Sequence, residues 1–346
     1  MDATGMQHTP SAFAALAILA VAAALSALLI VALRPWLARY ALAKPNARSS
    51  HKVPTPQGGG IAVVGATIAV TGILFFSTAA RAGATSPALL FCAVLLMAGI
   101  GVMADKHPIS PALRLVLQIF AVAAALTALP PELRLLPVLP WWSERVLLAV
   151  AVLWFVNLVN FMDGLDWMTV VETIPVAAAL AAFGLLGILP WQETVISLAL
   201  CGATLGFAFF NRPVAKLFLG DVGSLPIGLV LGWLLVVLAG SGARTAAVLL
   251  PLYYVADSTI TLLRRAANRE PVWQAHRSHF YQRATEHGFG VIDVVARVFA
   301  VNLMLAALAF ATILLPSRTT EIAALSAGAA LVTWLLAIFA RGPNRA

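Results

Sequence analysis

Apolar stretches of about twenty residues recur along almost the whole chain and constrain its fold more than any other feature. A transmembrane helix needs roughly 20 mostly apolar residues, and the continuous runs here predict helices. No polar block between them is long enough for a separate soluble domain. The sequence therefore predicts one all-α, polytopic transmembrane domain over residues 1–346, with about eleven spans: 11–33, 59–78, 87–103, 112–129, 145–160, 171–189, 194–210, 222–239, 245–263, 291–315 and 321–340.

Composition excludes an ordinary soluble protein. Of the 346 residues, 61% are hydrophobic and only 10% are charged, which is far from the usual balance of a globular domain. The two cysteines, Cys92 and Cys201, both fall inside apolar spans, so neither a disulfide framework nor a zinc cluster is indicated.

The net charge of +8 is unevenly distributed over the loops. With the amino terminus outside, sixteen of the 22 Lys and Arg residues lie on the inner side. Because inner loops are enriched in basic residues, this predicts a periplasmic amino terminus and a cytoplasmic carboxyl terminus in a bacterial inner membrane. The positive charge is then a topological signal, and we expect no nucleic-acid partner.

Five aspartates lie at or near the inner ends of apolar spans: Asp105, Asp163, Asp166, Asp221 and Asp257. An unpaired aspartate near hydrocarbon costs on the order of 2.5 to 3.5 kcal/mol. A metal ion together with Arg and Lys side chains can compensate these charges. A phosphorylated substrate would complete the balance.

A proline- and glycine-rich basic segment, KPNARSSHKVPTPQGGG, occupies residues 44–60. Its prolines prevent a continuous helix and its glycines allow close backbone approach. Arg48 and His51 offer hydrogen-bond donors to phosphate. A stiff basic loop without a ligand is the alternative.

In the segment NLVNFMDGLDWM, polar residues recur at every third position: Asn157, Asn160, Asp163 and Asp166. Neighbours at this spacing share a helix face while the set rotates around the helix. Such carboxylates could bind a cation, steer a phosphate through a metal, or act as a base. The alternative is a cluster of capping and loop residues.

Residues 210–228 contain LGDVGS, in which Asp221 precedes an apolar span. A carboxylate and backbone amides in such a turn can meet a metal diphosphate, and Lys216 could offset phosphate charge. An ordinary turn remains the alternative.

Two neighbouring segments, 257–265 and 275–283, supply arginines and histidines that suit phosphate oxygens. A structural interfacial loop is the alternative. The residues are Arg264, Arg265, His276, His279 and Arg283.

The oxygen-rich ligand set favours Mg²⁺ or Mn²⁺ over zinc. Taken in order, the segments between residue 44 and about residue 285 resemble the polyprenyl-phosphate N-acetylhexosamine-1-phosphate transferases, which are related to phospho-N-acetylmuramoyl-pentapeptide transferase. The form HRSHFYQR is more similar to enzymes that initiate O-antigen and capsule synthesis than to the peptidoglycan enzyme.

The resemblance implies roles for individual residues. Asp221 would bind magnesium and Phe218 would stack on uracil. Asn160, Asp163 and Asp166 would lie in the active site, with Arg264, Arg265, His276 and His279 around the nucleotide sugar. Asp105 and Asp166 are assigned to positioning the acceptor or removing its proton.

Four residues depart from the usual pattern of these transferases. Ala104 precedes Asp105 where two adjacent aspartates are common, Gln57 stands where arginine is common, and Trp167 and Met168 follow Asp166 in place of glycine and a small or apolar residue.

The implied reaction transfers a sugar-1-phosphate from a UDP-sugar to undecaprenyl phosphate and releases UMP, as the first step of a cell-surface polysaccharide. UDP-sugar, polyprenyl phosphate and membrane lipid are the expected partners. The sequence leaves open a homodimer, the identity of the sugar, and two competing functions, a lipid or solute transporter and a non-catalytic homologue.

Overall fold

The structure is a computed structural model that describes residues 10–43, 54–79, 88–107, 109–272, 274 and 276–343. Arg48 and His51 lie outside the described residues. Within the described ranges the chain forms thirteen helices: α1 (Ala12–Tyr40), α2 (Gly60–Ala79), α3 (Ala88–Lys106), α4 (Pro111–Thr127), α5 (Trp141–Met162), α6 (Met168–Leu185), α7 (Trp191–Asn211), α8 (Asp221–Gly240), α9 (Arg244–Leu249), α10 (Leu252–Ala267), α11 (Phe280–Glu286), α12 (Val291–Leu314) and α13 (Arg318–Arg341).

Most of these helices have the length and composition of membrane spans. In the described part of the chain, eight are long and apolar enough to cross a bilayer, and α2 and α4 contribute shorter apolar helices, Gly60–Phe76 and Pro111–Thr127. The prediction of an all-α, multi-pass membrane protein is confirmed. The predicted span 245–263 differs from the structure, which divides it into α9 and α10. Pro251 lies at the break and has no N–H to continue a helix.

Burial identifies α8 as the central helix of the bundle. About 94% of its apolar window is buried, compared with 22% for α1. Large apolar side chains on less buried helices, such as Phe13 on α1 and Val150 on α5, are instead exposed. A surface of this kind is stable against lipid rather than water, because the surrounding hydrocarbon is as apolar as the side chains.

Glycines bring the ends of three helices together. A Cβ on Gly60 would lie 2.2 Å from the Cα of Gly223, and one on Gly101 would lie 2.4 Å from the carbonyl carbon of Asp221. The start of α2, the end of α3 and the start of α8 therefore meet with backbone against backbone. Only glycine permits this approach.

A short antiparallel ribbon extends from this junction. Strands β1 (Leu42–Ala43) and β2 (Thr55–Pro56) pair, with Leu42 opposite Pro56. The chain after β2 then follows the segment before α8, since the amides of Gly58 and Gly59 both donate to the carbonyl oxygen of Phe218. This holds Gln57 beside the amino-terminal end of α8.

Candidate active site

The amino-terminal end of α8 is capped by a carboxylate from another helix. Asp105, near the end of α3, accepts hydrogen bonds from the backbone amides of Asp221 (2.9 Å) and Val222 (3.2 Å). Gln57 Nε2 donates to the same carboxylate at 2.6 Å. A negative charge is favourable here because the first amides of a helix lack intrahelical partners and the helix dipole is positive at this end.

Asp221 itself is held by α4 and α5. Its carboxylate forms a 2.8 Å ion pair with Arg114 and accepts a 2.7 Å hydrogen bond from Asn160 Nδ2. Asn160 Oδ1 accepts a second bond from Arg114 at 2.7 Å, so the three side chains form a closed triangle. The Asp221 side chain remains 25% exposed, which leaves it accessible to a ligand.

Asp163 follows the end of α5 and accepts a hydrogen bond from Thr169 Oγ1. Burial and the nearby carboxylates of Asp221, Asp105 and Asp166 together raise its pKa to about 7, against the lowering effect of the Thr169 hydrogen bond. Negative charge is thus concentrated at this point. We refer to Asp105, Arg114, Asn160, Asp163 and Asp221 as the carboxylate site.

Two residues of the predicted motif point elsewhere. Asp166 is 5% exposed and accepts a hydrogen bond from the backbone amide of Ala215 at 2.9 Å, so it braces the loop before α8. Asn157 donates to Gln118 Oε1 at 2.9 Å on α4. The structure therefore groups Asn160 and Asp163 with Asp221 but gives Asp166 and Asn157 other hydrogen-bond partners.

The loop before α8 holds two further predicted residues. Lys216 is exposed and lines a cavity of about 820 Å³ together with Arg34 and Asp166. Phe218 is partly buried, and its backbone pairs with residues 56–59. These positions place both residues between β2 and the start of α8.

Residues 276–283, which we call the histidine segment, pack on α10. His279 is 2% exposed, and its ring stacks on His276 at a centroid distance of 4.8 Å. Tyr281 Oη donates to the carbonyl oxygen of Phe161 at 2.9 Å. The histidine segment is thereby attached to the end of α5, two residues before Asp163.

The predicted arginines surround the histidine segment at different depths. Arg264 is exposed and lies over the Phe280 ring at 5.5 Å. Arg265 pairs with Glu270 at 2.9 Å and reaches Ser278 Oγ at 3.4 Å. Arg283 lies in the last turn of α11 and is partly buried.

Three residues of the site were not among the predicted site residues. Arg114 lies in the first turn of α4, where the helix dipole disfavours a cation. A cation at this position indicates an anionic partner nearby. Gln57 stands out in the sequence only as a departure from the usual arginine. Asp257 stands out only as an acid near a span end, because two of its donors are backbone amides 23 and 24 residues away along the chain.

The donor set is compatible with magnesium. Among the described residues, no group of three or more His, Cys, Asp or Glu side chains could hold a metal by itself. However, Mg²⁺ is commonly bound by one or two carboxylates together with water and substrate phosphates. The partly exposed Asp221 carboxylate, with the neighbouring carboxylates that raise the pKa of Asp163, fits such a site.

An apolar groove of about 650 Å³ between α4, α5 and α10 adjoins the carboxylate site. Arg114 and Asn157 lie among its lining residues, and Leu263 in its wall is 64% exposed. The remaining wall is mainly apolar, including Leu115, Val150, Leu153 and Leu262. The groove thus joins an apolar surface to a cationic side chain that is paired with Asp221.

These features define a class of protein. It is a multi-pass membrane protein whose carboxylates, amides and arginine suit the binding of a phosphate, beside a groove with mainly apolar walls. The sequence profile of glycosyl transferase family 4 matches residues 87–239. Similar proteins include a decaprenyl-phosphate N-acetylglucosaminephosphotransferase of Mycolicibacterium smegmatis, which is 30% identical over 342 residues and covers 88% of this chain and 84% of the relative.

Two further relatives agree. A probable undecaprenyl-phosphate N-acetylglucosaminyl 1-phosphate transferase of Bacillus subtilis is 27% identical over 308 residues, with 82% and 83% coverage. A phospho-N-acetylmuramoyl-pentapeptide-transferase of Phenylobacterium zucineum is 28% identical over 193 residues, half of each chain. The chain belongs to glycosyl transferase family 4, so the resemblance and the prediction of a sugar-phosphate transferase are confirmed.

Proposed function

We propose that this protein transfers a sugar-1-phosphate from a UDP-sugar to undecaprenyl phosphate in a bacterial inner membrane and releases UMP. The sugar would be an N-acetylhexosamine or a 6-deoxy derivative, and the product would begin a cell-surface polysaccharide. The observation that carries the proposal is the Arg114, Asn160 and Asp221 triangle at the apolar groove. An isoprenoid chain fits the groove by its chemistry, and its phosphate would meet Arg114.

In the proposed reaction, an oxygen of the lipid phosphate attacks the β-phosphorus of the UDP-sugar. The bond between that phosphorus and the bridging oxygen breaks, and the oxygen leaves with UMP. A phosphate monoester is already largely ionised near neutral pH, since its second pKa is about 6. A strong general base is therefore unnecessary, and Asp105 serves to hold the first turn of α8.

Asp221, with water and the diphosphate, would hold Mg²⁺ or Mn²⁺. The metal would neutralise charge on the diphosphate and on the leaving UMP. Arg114 would orient the acceptor phosphate, since a guanidinium matches phosphate oxygens with two donors. Asn160 keeps both Arg114 and Asp221 in place through one hydrogen bond with each of them.

The donor would lie between the carboxylate site and the histidine segment. Arg264 and Arg265 would face its phosphates, while Phe218 would contact the uracil, and Lys216 and Arg283 would add positive charge nearby. His276 is the more accessible of the two histidines. Burial, together with His279 and Arg265, lowers the pKa of His276 to about 4, so His276 would meet the donor as a neutral imidazole.

Product formation tests the proposal directly. Purified protein in proteoliposomes with undecaprenyl phosphate is incubated with a panel of radiolabelled UDP-N-acetylhexosamines and their 6-deoxy relatives. We expect one donor to yield labelled lipid and an equal amount of UMP. Uptake or flipping of a substrate without UMP release would instead identify a transporter, and absence of both would indicate a non-catalytic homologue.

The proposed cytoplasmic orientation has its own test. Gln274, near the histidine segment, is exposed, and Val138 in the loop before α5 is 87% exposed. In a background without the native cysteines, Val138→Cys should react with an impermeant thiol reagent in spheroplasts, whereas Gln274→Cys should react only after permeabilisation. The reverse pattern would contradict the orientation.

A further inference from the structure

Asp257 is a fully buried carboxylate on α10 that lies outside the carboxylate site. Its exposed fraction is 0%. Within its own helix it accepts hydrogen bonds from Tyr253 Oη (3.2 Å) and Thr261 Oγ1 (3.3 Å). A charge so deeply buried is stable only when several donors compensate for its lost hydration.

The remaining donors to Asp257 come from the histidine segment. The backbone amides of Phe280 and Tyr281 donate at 3.0 and 3.1 Å, and His279 Nδ1 lies 3.3 Å from Asp257 Oδ1. The two amides belong to the first turn of α11, where backbone donors have no helical partner. Asp257 therefore holds the turn and the histidine together.

The contact with Asp257 also determines that Nδ1 of the His279 ring carries a hydrogen. A carboxylate accepts hydrogen bonds, so Nδ1 carries the proton that faces Asp257. The orientation of the ring follows from this bond. The same ring stacks on His276 at 4.8 Å with planes inclined by 28°, so a displaced His279 would leave His276 without its support.

A second contact orients His276. Its Nδ1 lies 2.8 Å from Ser278 Oγ, which also receives a 3.4 Å contact from Arg265 Nη1. Because the hydroxyl can accept from Arg265 and donate to Nδ1, the His276 proton is placed on Nε2. His276 is half-buried and can present this N–H to a phosphate oxygen.

We propose that Asp257 is a positioning residue, which orients the stacked pair of His279 and His276 towards the diphosphate of the donor. This inference rests on the proposed function. Asp257 does not touch the substrate, since it is enclosed by α10 and the histidine segment. Its effect passes through His279.

A double-mutant cycle tests this coupling. Asp257→Asn removes the charge and one acceptor, while His279→Phe keeps a stacking ring but removes the Nδ1 donor. We expect each change to lower kcat for UMP release by about 10- to 100-fold, the range seen when a carboxylate that orients a metal-bound histidine is removed, with a smaller change in KM for the UDP-sugar. The double variant should be no slower than the slower single variant, because both changes break the same interaction.

Ser258→Ala is the matched control. Ser258 is the next residue on α10 and is equally buried, so its truncation reports general sensitivity of the helix to packing. It should keep the wild-type kcat. All variants are compared by kcat per folded molecule, with the folded fraction taken from size-exclusion profiles and thermal midpoints.

The outcomes separate the two proposals. A wild type that releases no UMP with any donor overturns the proposed function and this inference with it. With an active wild type, three results would each overturn the inference alone. The first is a fold-loss of kcat in the double variant equal to the product of the two single losses, and the second is a normal kcat for Asp257→Asn. The third is a loss of kcat in Ser258→Ala as large as that in Asp257→Asn.

A milder variant covers the case in which Asp257→Asn does not fold. Tyr253→Phe removes one donor to Asp257 without touching the histidine segment. It should lower kcat in the presence of His279 and have no further effect in the His279→Phe background. An equal loss in both backgrounds would overturn the inference.

Discussion

The two ends of α5 both bring acidic side chains into the protein, but they do so in different ways. At the amino-terminal end, Glu144 is 1% exposed and accepts hydrogen bonds from Arg134 and from the backbone amides of Leu135 and Leu136. All these partners lie 8 to 10 residues away in the chain. The loop before α5 thus supplies the donors that compensate the charge of Glu144.

At the carboxyl-terminal end of α5, the partners come from distant segments. Asn160 reaches Arg114 and Asp221 across 46 and 61 residues, and Asp105 reaches the amide of Asp221 across 116. Asp163 lies beside three other carboxylates, and its pKa is raised to about 7 by burial and by their charges. The charge of Glu144 is compensated by nearby donors, whereas the carboxyl-terminal end of α5 keeps negative charge that a cation could compensate.

The largest effect is expected for Asp221→Asn, which keeps the shape of the side chain and removes its charge. Because the metal diphosphate would lose its carboxylate ligand, kcat for UMP release should fall by about 100-fold or more. The protein should still insert and remain monodisperse. Near-normal activity at ordinary magnesium concentration would show that Asp221 is not the metal ligand.

Asp105→Asn should have the next largest effect. The backbone amides of Asp221 and Val222 donate to different oxygens of Asp105. Asparagine replaces one of these oxygens by an NH2 group, which cannot accept, and it lacks the negative charge that the helix dipole favours. Asp221 would then be less well positioned, so lipid-linked product should be lost. Assays of labelled lipid across a magnesium titration test this, and full activity would remove Asp105 from the mechanism.

Ala104→Asp should have a small effect, either neutral or mildly favourable. Two adjacent carboxylates repel each other unless a cation or proton is shared, and the Gln57 amide that contacts Asp105 carries no charge to offset the second one. Adding Gln57→Arg to Ala104→Asp should therefore improve folding yield over Ala104→Asp alone. An inactive wild type that gains UMP release on Ala104→Asp would identify a degenerate enzyme.

Glu144→Gln should have the smallest effect on activity and is the matched control for Asp221→Asn, since the chemical change is the same at the opposite end of α5. Loss of the ion pair with Arg134 should lower the thermal midpoint, while kcat per folded molecule stays unchanged. If kcat instead fell as far as in Asp221→Asn, the distinction between the two ends would be wrong.

Much of the fold could be predicted because the residues of each span are enough to indicate a transmembrane helix. An apolar run long enough to cross a bilayer must satisfy its backbone hydrogen bonds internally, so most helices were predicted within a few residues of their observed ends. The segment 245–263 differs most from the predicted spans. There Pro251 and the polar residues of α10 replace one span by two helices.

The site was predicted less completely because helical spacing leaves rotation undecided. Residues three apart differ by about 60° around a helix with 3.6 residues per turn, so Asn157, Asn160 and Asp163 cannot all face one ligand. The structure directs Asn157 to Gln118 and Asn160 to Asp221. Asp166 lies beyond the end of α5, and its contact with Ala215 depends on a loop 49 residues away.

The sequence by itself determined the membrane class, the positions of most helices and the grouping of the charged segments at one end, because hydrophobicity and charge act on each segment separately. Only the tertiary structure decided that Asp105 caps α8, that Arg114 joins Asp221, and that Asp257 holds the histidine segment. These contacts depend on how helices pack and rotate against one another. That packing arises from many weak interactions between distant residues, which no local pattern records.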